Sequence, residues 1–275
     1  MPPHVTLRAV ICVLGDAHLD VIVAIAGPVA TDTDTPARTR VSVGGQAANV
    51  AAWVSALGGR SRLIAALADD PAAALVASEL AVRGVDLVGP VIGGHTGVVV
   101  SLSAGGADRS MLTDRGVGPL LPETAIEADW FDGCSWLHLP AYSLTSEPVR
   151  DAALAAAAAA RARAARLSVD LSSTAVIAGY GRAAFRDLLA VLGPELVFGN
   201  RAETDLIGDL PGTRVITKLG PGGVIVDGQH YPAAAAEPAD ATGAGDAFAA
   251  GYLVGGVRLG LAAAARAVAT MGAMP

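Results

Sequence analysis

The chain is poor in lysine, asparagine, cysteine, aromatic residues and charge. Its 275 residues hold one lysine, Lys218, against 18 arginines, and two asparagines, Asn49 and Asn200. Arginine has replaced lysine wherever a surface charge suffices, so the survivors are candidates for positions that accept no substitute. Two cysteines, Cys12 and Cys134, both in apolar strand-like runs, exclude a disulfide scaffold and read as buried free thiols in a reducing cytoplasm. Charged residues at 16% against 52% hydrophobic exclude a disordered chain. A formal net charge of −7 without any basic cluster excludes a nucleic-acid surface. No apolar run approaches the roughly 18 residues of a spanning helix, so no membrane partner is expected. The run from Ala9 to Gly15 is too short for a signal segment and meets Asp16 at once.

What the chain has is alanine, about a fifth of all residues, which favours slim and closely packed helices. Apolar runs alternate with alanine-rich stretches. Val10–Leu14, Arg62–Ala66, Ser135–Leu139, Leu167–Leu171, Leu196–Phe198 and Arg214–Thr217 read as buried strands. Helices are expected over about 46–57, 71–83, 146–165, 182–191 and 201–207, with Pro71, after Asp69 and Asp70, and Pro148, after Ser146, each in a first turn behind a capping residue. This alternation predicts one α/β domain over 1–275, with a mostly parallel sheet between two helical layers. Residues 20–43 and 96–113 alternate with period two instead. They read as hairpins, the second turning at Gly105-Gly106, that form either a small flap over the site or an edge extension of the main sheet.

Five segments can carry chemistry. In DATGAGDAF, Asp240–Phe248, the glycines let backbone approach a ligand, and a helix starting here points unpaired N–H groups forward as an anion site. Asp246 in its first turn can take a proton from an acceptor hydroxyl while the amides of Gly243, Ala244 and Gly245 hold a transferring phosphoryl. Alone, such a segment is more often a plain loop with a capping acid. GGQAAN, Gly44–Asn49, brings Gly44 and Gly45 to a helix start and offers the Asn49 amide to a polyol. NRAE places Asn200 and Glu203 at the carboxyl end of a strand, where open α/β sheets bind ligands and a carboxylate can hold Mg²⁺ through water. TKLGPGG, with Lys218, Gly220 and Gly223, fits a phosphate cradle or a hairpin turn equally well. In GDAHLD, the side chains of Asp16, His18 and Asp20 can bind sugar hydroxyls. No P-loop, dinucleotide fingerprint, zinc-ligand spacing or nucleophile elbow accompanies them.

Together, in this order and over nearly the whole chain, these segments resemble the ribokinase-like PfkB carbohydrate kinases. GG-x-x-x-N at 44–49 with D-x-T-G-A-G-D at 240–246 is the specific pair, and N-x-x-E at 200–203 is a third mark. Both rare asparagines and the single lysine fall inside the five segments. The resemblance implies a three-layer αβα sandwich with a small β lid, and transfer of the γ-phosphoryl of ATP to a hydroxyl of a small sugar. A nucleoside kinase, or a non-catalytic sensor of sugar or nucleotide, are the alternatives. It implies Asp246 as general base and Gly243, Ala244 and Gly245 as the anion hole. It assigns Asp20, His18, Gly44, Gly45 and Asn49 to the sugar, and Asn200, Lys218, Gly220 and Gly223 to the nucleotide. Glu203 falls on the Mg²⁺ side, Asp240 and Thr242 where some members bind a cation such as K⁺. A homodimer through the lid is the expected assembly.

Three departures bear on substrate. Gln46 stands where ribose-specific members carry lysine, and His18 where they carry asparagine, which argues against ribose. Only residues 204–217 separate Glu203 from Lys218, so a helix of the nucleotide half is expected to be missing. Members acting on sugar 6-phosphates carry extra basic residues in the lid, where only Arg109 and Arg115 are available here, which argues against a phosphorylated sugar.

Overall fold

Side-chain period sets the architecture: runs apolar on both faces become central strands, and runs apolar on alternate residues become the lid. The computed structural model describes residues 9–104, 109–237 and 239–275. The main sheet holds β1 (Val10–Leu14), β4 (Arg60–Ile64), β5 (Val85–Val88), β8 (Cys134–Pro140), β9 (Arg166–Asp170), β10 (Leu196–Asn200), β11 (Arg214–Lys218), β12 (Val224–Val226) and β13 (Gln229–Tyr231). Its order is β13-β12-β11-β10-β9-β8-β1-β4-β5, parallel from β11 to β5, with β12 and β13 antiparallel at one edge. The lid sheet, in the order β3-β2-β6-β7, holds β2 (His18–Ile25), β3 (Ala37–Gly44), β6 (Thr96–Ala104) and β7 (Arg109–Gly116). Two expected hairpins are thus present, joined by parallel pairing of β2 with β6. The Gly105-Gly106 turn lies outside the described residues.

The helices are α1 (Gln46–Ala56), α2 (Pro71–Val82), α3 (Val149–Arg161), α4 (Thr174–Tyr180), α5 (Arg182–Leu192), α6 (Arg201–Ile207), α7 (Ala244–Gly255) and α8 (Val257–Val268). They cover both sheet faces, so the core is double. Ile11 and Val13 of β1 pack with α1, α2, α7 and α8, while Val10, Cys12 and Leu14 pack with α3, α4 and α5. Alanine is what lets the layers approach. Ala152, Ala153, Ala156, Ala157 and Ala160 form the buried face of α3. Between α7 and α8 a Cβ on Gly251 would come within 2.7 Å of the Gly260 Cα. Both cysteines are free and buried.

Some boundaries differ from expectation. The α3 helix starts at Val149 without a side-chain cap, and the Ser146 hydroxyl has no hydrogen-bond partner, so Ser146 does not cap it. The apolar stretch after Phe248 breaks at Gly256, whose φ of +80° ends α7 and starts α8. Asp70 does cap α2, accepting from the Ala73 N–H at 2.7 Å. It also accepts from the Thr96 N–H and hydroxyl, both at 2.7 Å, and so ties α2 to the lid. These bonds hold its carboxyl below the usual range, the Thr96 hydroxyl contributing most.

Candidate active site

In a parallel sheet all carboxyl ends point the same way, and a cleft opens where helices leave to opposite faces. At that edge lie Gly15 after β1, Asp170 ending β9, Asn200 ending β10 and Lys218 ending β11. The site floor is the start of α7. Gly243, at φ +74°, turns the chain into the helix, and a Cβ there would meet the Ala273 Cα at 2.6 Å. The preceding loop is locked by Asp240, whose Oδ1 accepts from the Thr242 N–H at 2.8 Å and its hydroxyl at 2.6 Å, and whose Oδ2 accepts from the Gly272 N–H at 3.0 Å. Helix geometry leaves the N–H groups of Gly245 and Asp246 without an intrahelical acceptor, facing the cleft.

Asp246 stands in that first turn. The Asn49 amide, one turn into α1, donates to its Oδ2 at 2.8 Å. The residue keeps some contact with solvent, yet its carboxyl lies deep enough that burial pushes its pKa up to about 7. The Asp170 charge adds to the rise, while Asn49, Lys218 and Gln46 oppose it. An acid poised near neutrality serves as a general base at working pH.

Lys218 lies beside the start of α7. Its Nζ donates to Asp170 Oδ2 at 2.6 Å, and a Cβ on Gly245 would come within 3.2 Å of that nitrogen. Burial alone would lower the ammonium pKa, but the charge and hydrogen bond of Asp170, with Asp246 and Glu203 beyond, carry it above the ordinary value. Asp170 is 1% exposed at its side chain, so this is a buried ion pair at the N-terminus of α7. Asn200 and Glu203 close a capping box on α6. The Asn200 N–H and side-chain amide each donate to Glu203 at 2.8 Å, and the Glu203 N–H donates back at 2.9 Å. Burial raises the Glu203 pKa against these bonds. A carboxylate with both oxygens engaged fits an ion held through water better than one bound directly. Among the described residues no group of three or more His, Cys, Asp or Glu could hold a metal ion. Gly220 and Gly223, both at positive φ, make the β11–β12 turn, where a Cβ on Gly223 would strike the Tyr231 carbonyl at 2.0 Å. The segment is therefore a hairpin turn whose near end carries Lys218.

On the lid side, Asp20 of β2 reaches over Gly44, where a Cβ would lie 2.3 Å from its carboxylate. His18 Nε2 lies 3.2 Å from Asp20 Oδ1, and its buried Nδ1 has no partner. Gly45, at φ +102°, passes the Asp16 carbonyl where a Cβ would sit 2.3 Å away. Asp16 itself is taken up by Arg115, which donates through Nε at 2.6 Å and through an Nη at 2.9 Å, and also reaches the Tyr142 carbonyl. Asp16 and Arg115 are thus engaged with each other, while the Arg109 side chain lies outside the described residues.

A model of the pfkB family carbohydrate kinases matches residues 8–274. The chain belongs to that family. It is a carbohydrate kinase of the ribokinase-like fold. It is similar to a fructokinase of Escherichia coli, 28% identical over 273 residues, with 90% of this chain and 85% of the relative covered. A fructokinase of Salmonella typhimurium is also 28% identical, over 271 residues, covering 90% and 84%. Among solved structures, adenosine kinase from Sinorhizobium meliloti superposes with a TM-score of 0.87 at 23% identity over 98% of this chain and 96% of that one. A putative ribokinase II from Escherichia coli in complex with ATP and Mg²⁺ gives 0.83 at 21% identity, covering 97% and 94%.

This PfkB kinase brings together Asp246, Asn49, Lys218 and the 243–245 amides on one side, and Asp20, His18, Gly44 and Gly45 on the other. Helix α1 links the two, because Gly45 precedes it and Asn49 sits on it. The sequence reading missed Asp170, which ends β9, and Ser172 just after it, both in DLSS, a segment with no glycine or histidine to draw notice. Only the rarity of lysine pointed there, through the partner it implies.

Proposed function

We propose that this kinase transfers the γ-phosphoryl of ATP to a hydroxyl of a small sugar, with Asp246 as the base. The observation that carries the reading is a carboxylate with pKa near 7 in the first turn of α7, beside unpaired helix amides and held by Asn49. Asp20 and His18, with Gly44 and Gly45 leaving room, fix the sugar so that one hydroxyl meets Asp246. The acceptor proton passes to Asp246 as the hydroxyl oxygen bonds to the γ-phosphorus and the bond to ADP breaks. Of the 243–245 turn, the Ala244 N–H already reaches the Ala241 carbonyl at 3.4 Å, so the Gly245 amide, with that of Asp246 and the Lys218 ammonium, takes up the charge on the phosphoryl oxygens while Gly243 and Ala244 shape the hole. Asn200, Gly220 and Gly223 line the nucleotide side. Mg²⁺, when bound with ATP, neutralises phosphate charge, and Glu203 would hold it through water. A K⁺ beside Asp240 and Thr242 would act on the loop they lock, which turnover in KCl against choline chloride tests.

With Arg115 bound to Asp16, a free hydroxyl compound suits the site better than a sugar phosphate. A panel of sugars and nucleosides assayed for ADP release separates a sugar from a nucleoside kinase. The expected outcome is turnover of a neutral sugar, reduced at least ~10²-fold by Asp246→Asn with little change in sugar binding. Ligand binding without any turnover would mark a sensor instead. The lid also favours a homodimer, because Val41, Val21, Val100 and Leu112 align across its four strands on the face opposite Asp20. Val41 is 53% and Leu112 58% exposed, an apolar line that a second copy would cover.

A further inference from the structure

Ser172, two residues past the end of β9, has a φ of +61°, which an L-residue with a side chain seldom adopts. It is held there by Asp170 Oδ1, which accepts from the Ser172 N–H at 2.9 Å. In this conformation its hydroxyl sits between three groups. It accepts from the Ala141 N–H at 3.0 Å, lies 3.1 Å from the Asp170 carbonyl, and lies 2.6 Å from Gln46 Oε1. A hydroxyl has one proton to give, and the shortest contact is to Gln46. A side-chain amide whose oxygen is engaged must present its NH₂ elsewhere. Gln46 opens α1 three residues before Asn49, so both amides share the helix face that meets Asp246. The chain has only two glutamines, Gln46 and Gln229, and one stands here.

We propose that Ser172 and Gln46 are positioning residues for phosphoryl transfer. Ser172 turns the Gln46 amide so that its NH₂ faces the Asp246 carboxylate, which Asn49 holds from the other side. With both amides in place, the base presents a fixed oxygen to the acceptor. An amide suits this task because it fixes the carboxylate without adding a second cation beside it. The charges already facing Asp246 are Asp170 and Lys218, with the Tyr142 hydroxyl near and Glu203 behind the pair. The inference rests on Asp246 as base for its kinetic part only. The hydrogen-bond relay itself is tested without substrate.

The direct test is thermal melting of the ligand-free protein from pH 4 to pH 9, each variant compared with the same variant carrying Asp246→Asn. A carboxyl at about 7 folded and about 3.9 unfolded keeps a proton that the unfolded chain loses, so stability falls as pH rises through that window and levels above it. Gln46→Met removes a donor to the charged form, so the levelling point should move up by about half a unit or more. Ser172→Ala should move it the same way, and the double variant no further than Gln46→Met alone. Ser172→Gly accepts the backbone angle without the hydroxyl and should behave as Ser172→Ala, whereas Ser172→Asn tolerates the angle, restores a donor and should recover most of the loss. Additive shifts, or Ser172→Gly matching the wild type, would overturn the relay. In ADP-release assays with D-fructose, D-ribose and adenosine, the Ala and Met variants should lower kcat about tenfold with KM nearly unchanged on any acceptor used. Shifted melts with full activity in Asp246→Asn would overturn the base and leave the relay standing.

Discussion

Eighteen positions of this chain carry arginine, and Lys218 shows why the exchange stopped at one residue. Its nitrogen fits between the Asp170 carboxylate and the bare Cα of Gly245, where a compact ammonium has room and a planar guanidinium does not. Lys218→Arg is therefore expected to push Gly245 off the cleft and lower turnover at least tenfold, measured by ADP release. Lys218→Met leaves Asp170 buried without its cation, which should cost about 3–5 kcal/mol in a denaturant titration, while adding Asp170→Asn should restore part of it. If Lys218→Arg were silent, the ammonium would not abut the phosphoryl group. At this scale the sequence was legible where one segment holds both a residue and its reason. Gly243 and Asp246 share a turn. The contact from Ser172 to Gln46 spans 126 positions, and nothing in either window announces the other.

Elements were legible where period and punctuation agreed. The pattern from Gln46 to Leu57 and the Asp70-Pro71 start gave α1 and α2 nearly to the residue. Period two gave the lid strands, but not the parallel join of β2 to β6, which depends on contacts between distant segments. Short strands with few alternations, β5, β12 and β13, escaped notice for lack of signal. The lid is also where an element-scale expectation can be checked. Val41→Glu or Leu112→Glu would place like charges across a two-fold contact, so analytical ultracentrifugation should show dimers giving way to monomers. A monomeric wild type would remove the stripe from the assembly.

The alternation of strands and helices made the doubly covered sheet legible for the whole molecule, because crossover handedness leaves few other arrangements. The shortened 204–217 segment was also visible, and only residues 208–213 join α6 to β11. The brace under the start of α7 was not. The Trp53 indole donates to the Ala273 carbonyl at 2.9 Å, an Arg40 Nη of β3 donates to the Met271 carbonyl at 3.2 Å, and Gly272 donates to Asp240. These contacts tie α1, the lid and the loop before α7 to one segment that the sequence leaves featureless.

A chain with one lysine has one bond that a lysine-specific protease can cut. That bond follows Lys218, which pairs with Asn200 on one side and Val224 on the other. The scissile peptide cannot enter a protease cleft until β11 leaves the sheet, so cleavage into residues 1–218 and 219–275 clocks the opening of this side of the sheet without any engineered label. ATP should slow the clock by the factor 1 + [ATP]/Kd, about 100-fold at 100 times its dissociation constant. A rate indifferent to ATP would mean that β11 opens with the nucleotide still bound.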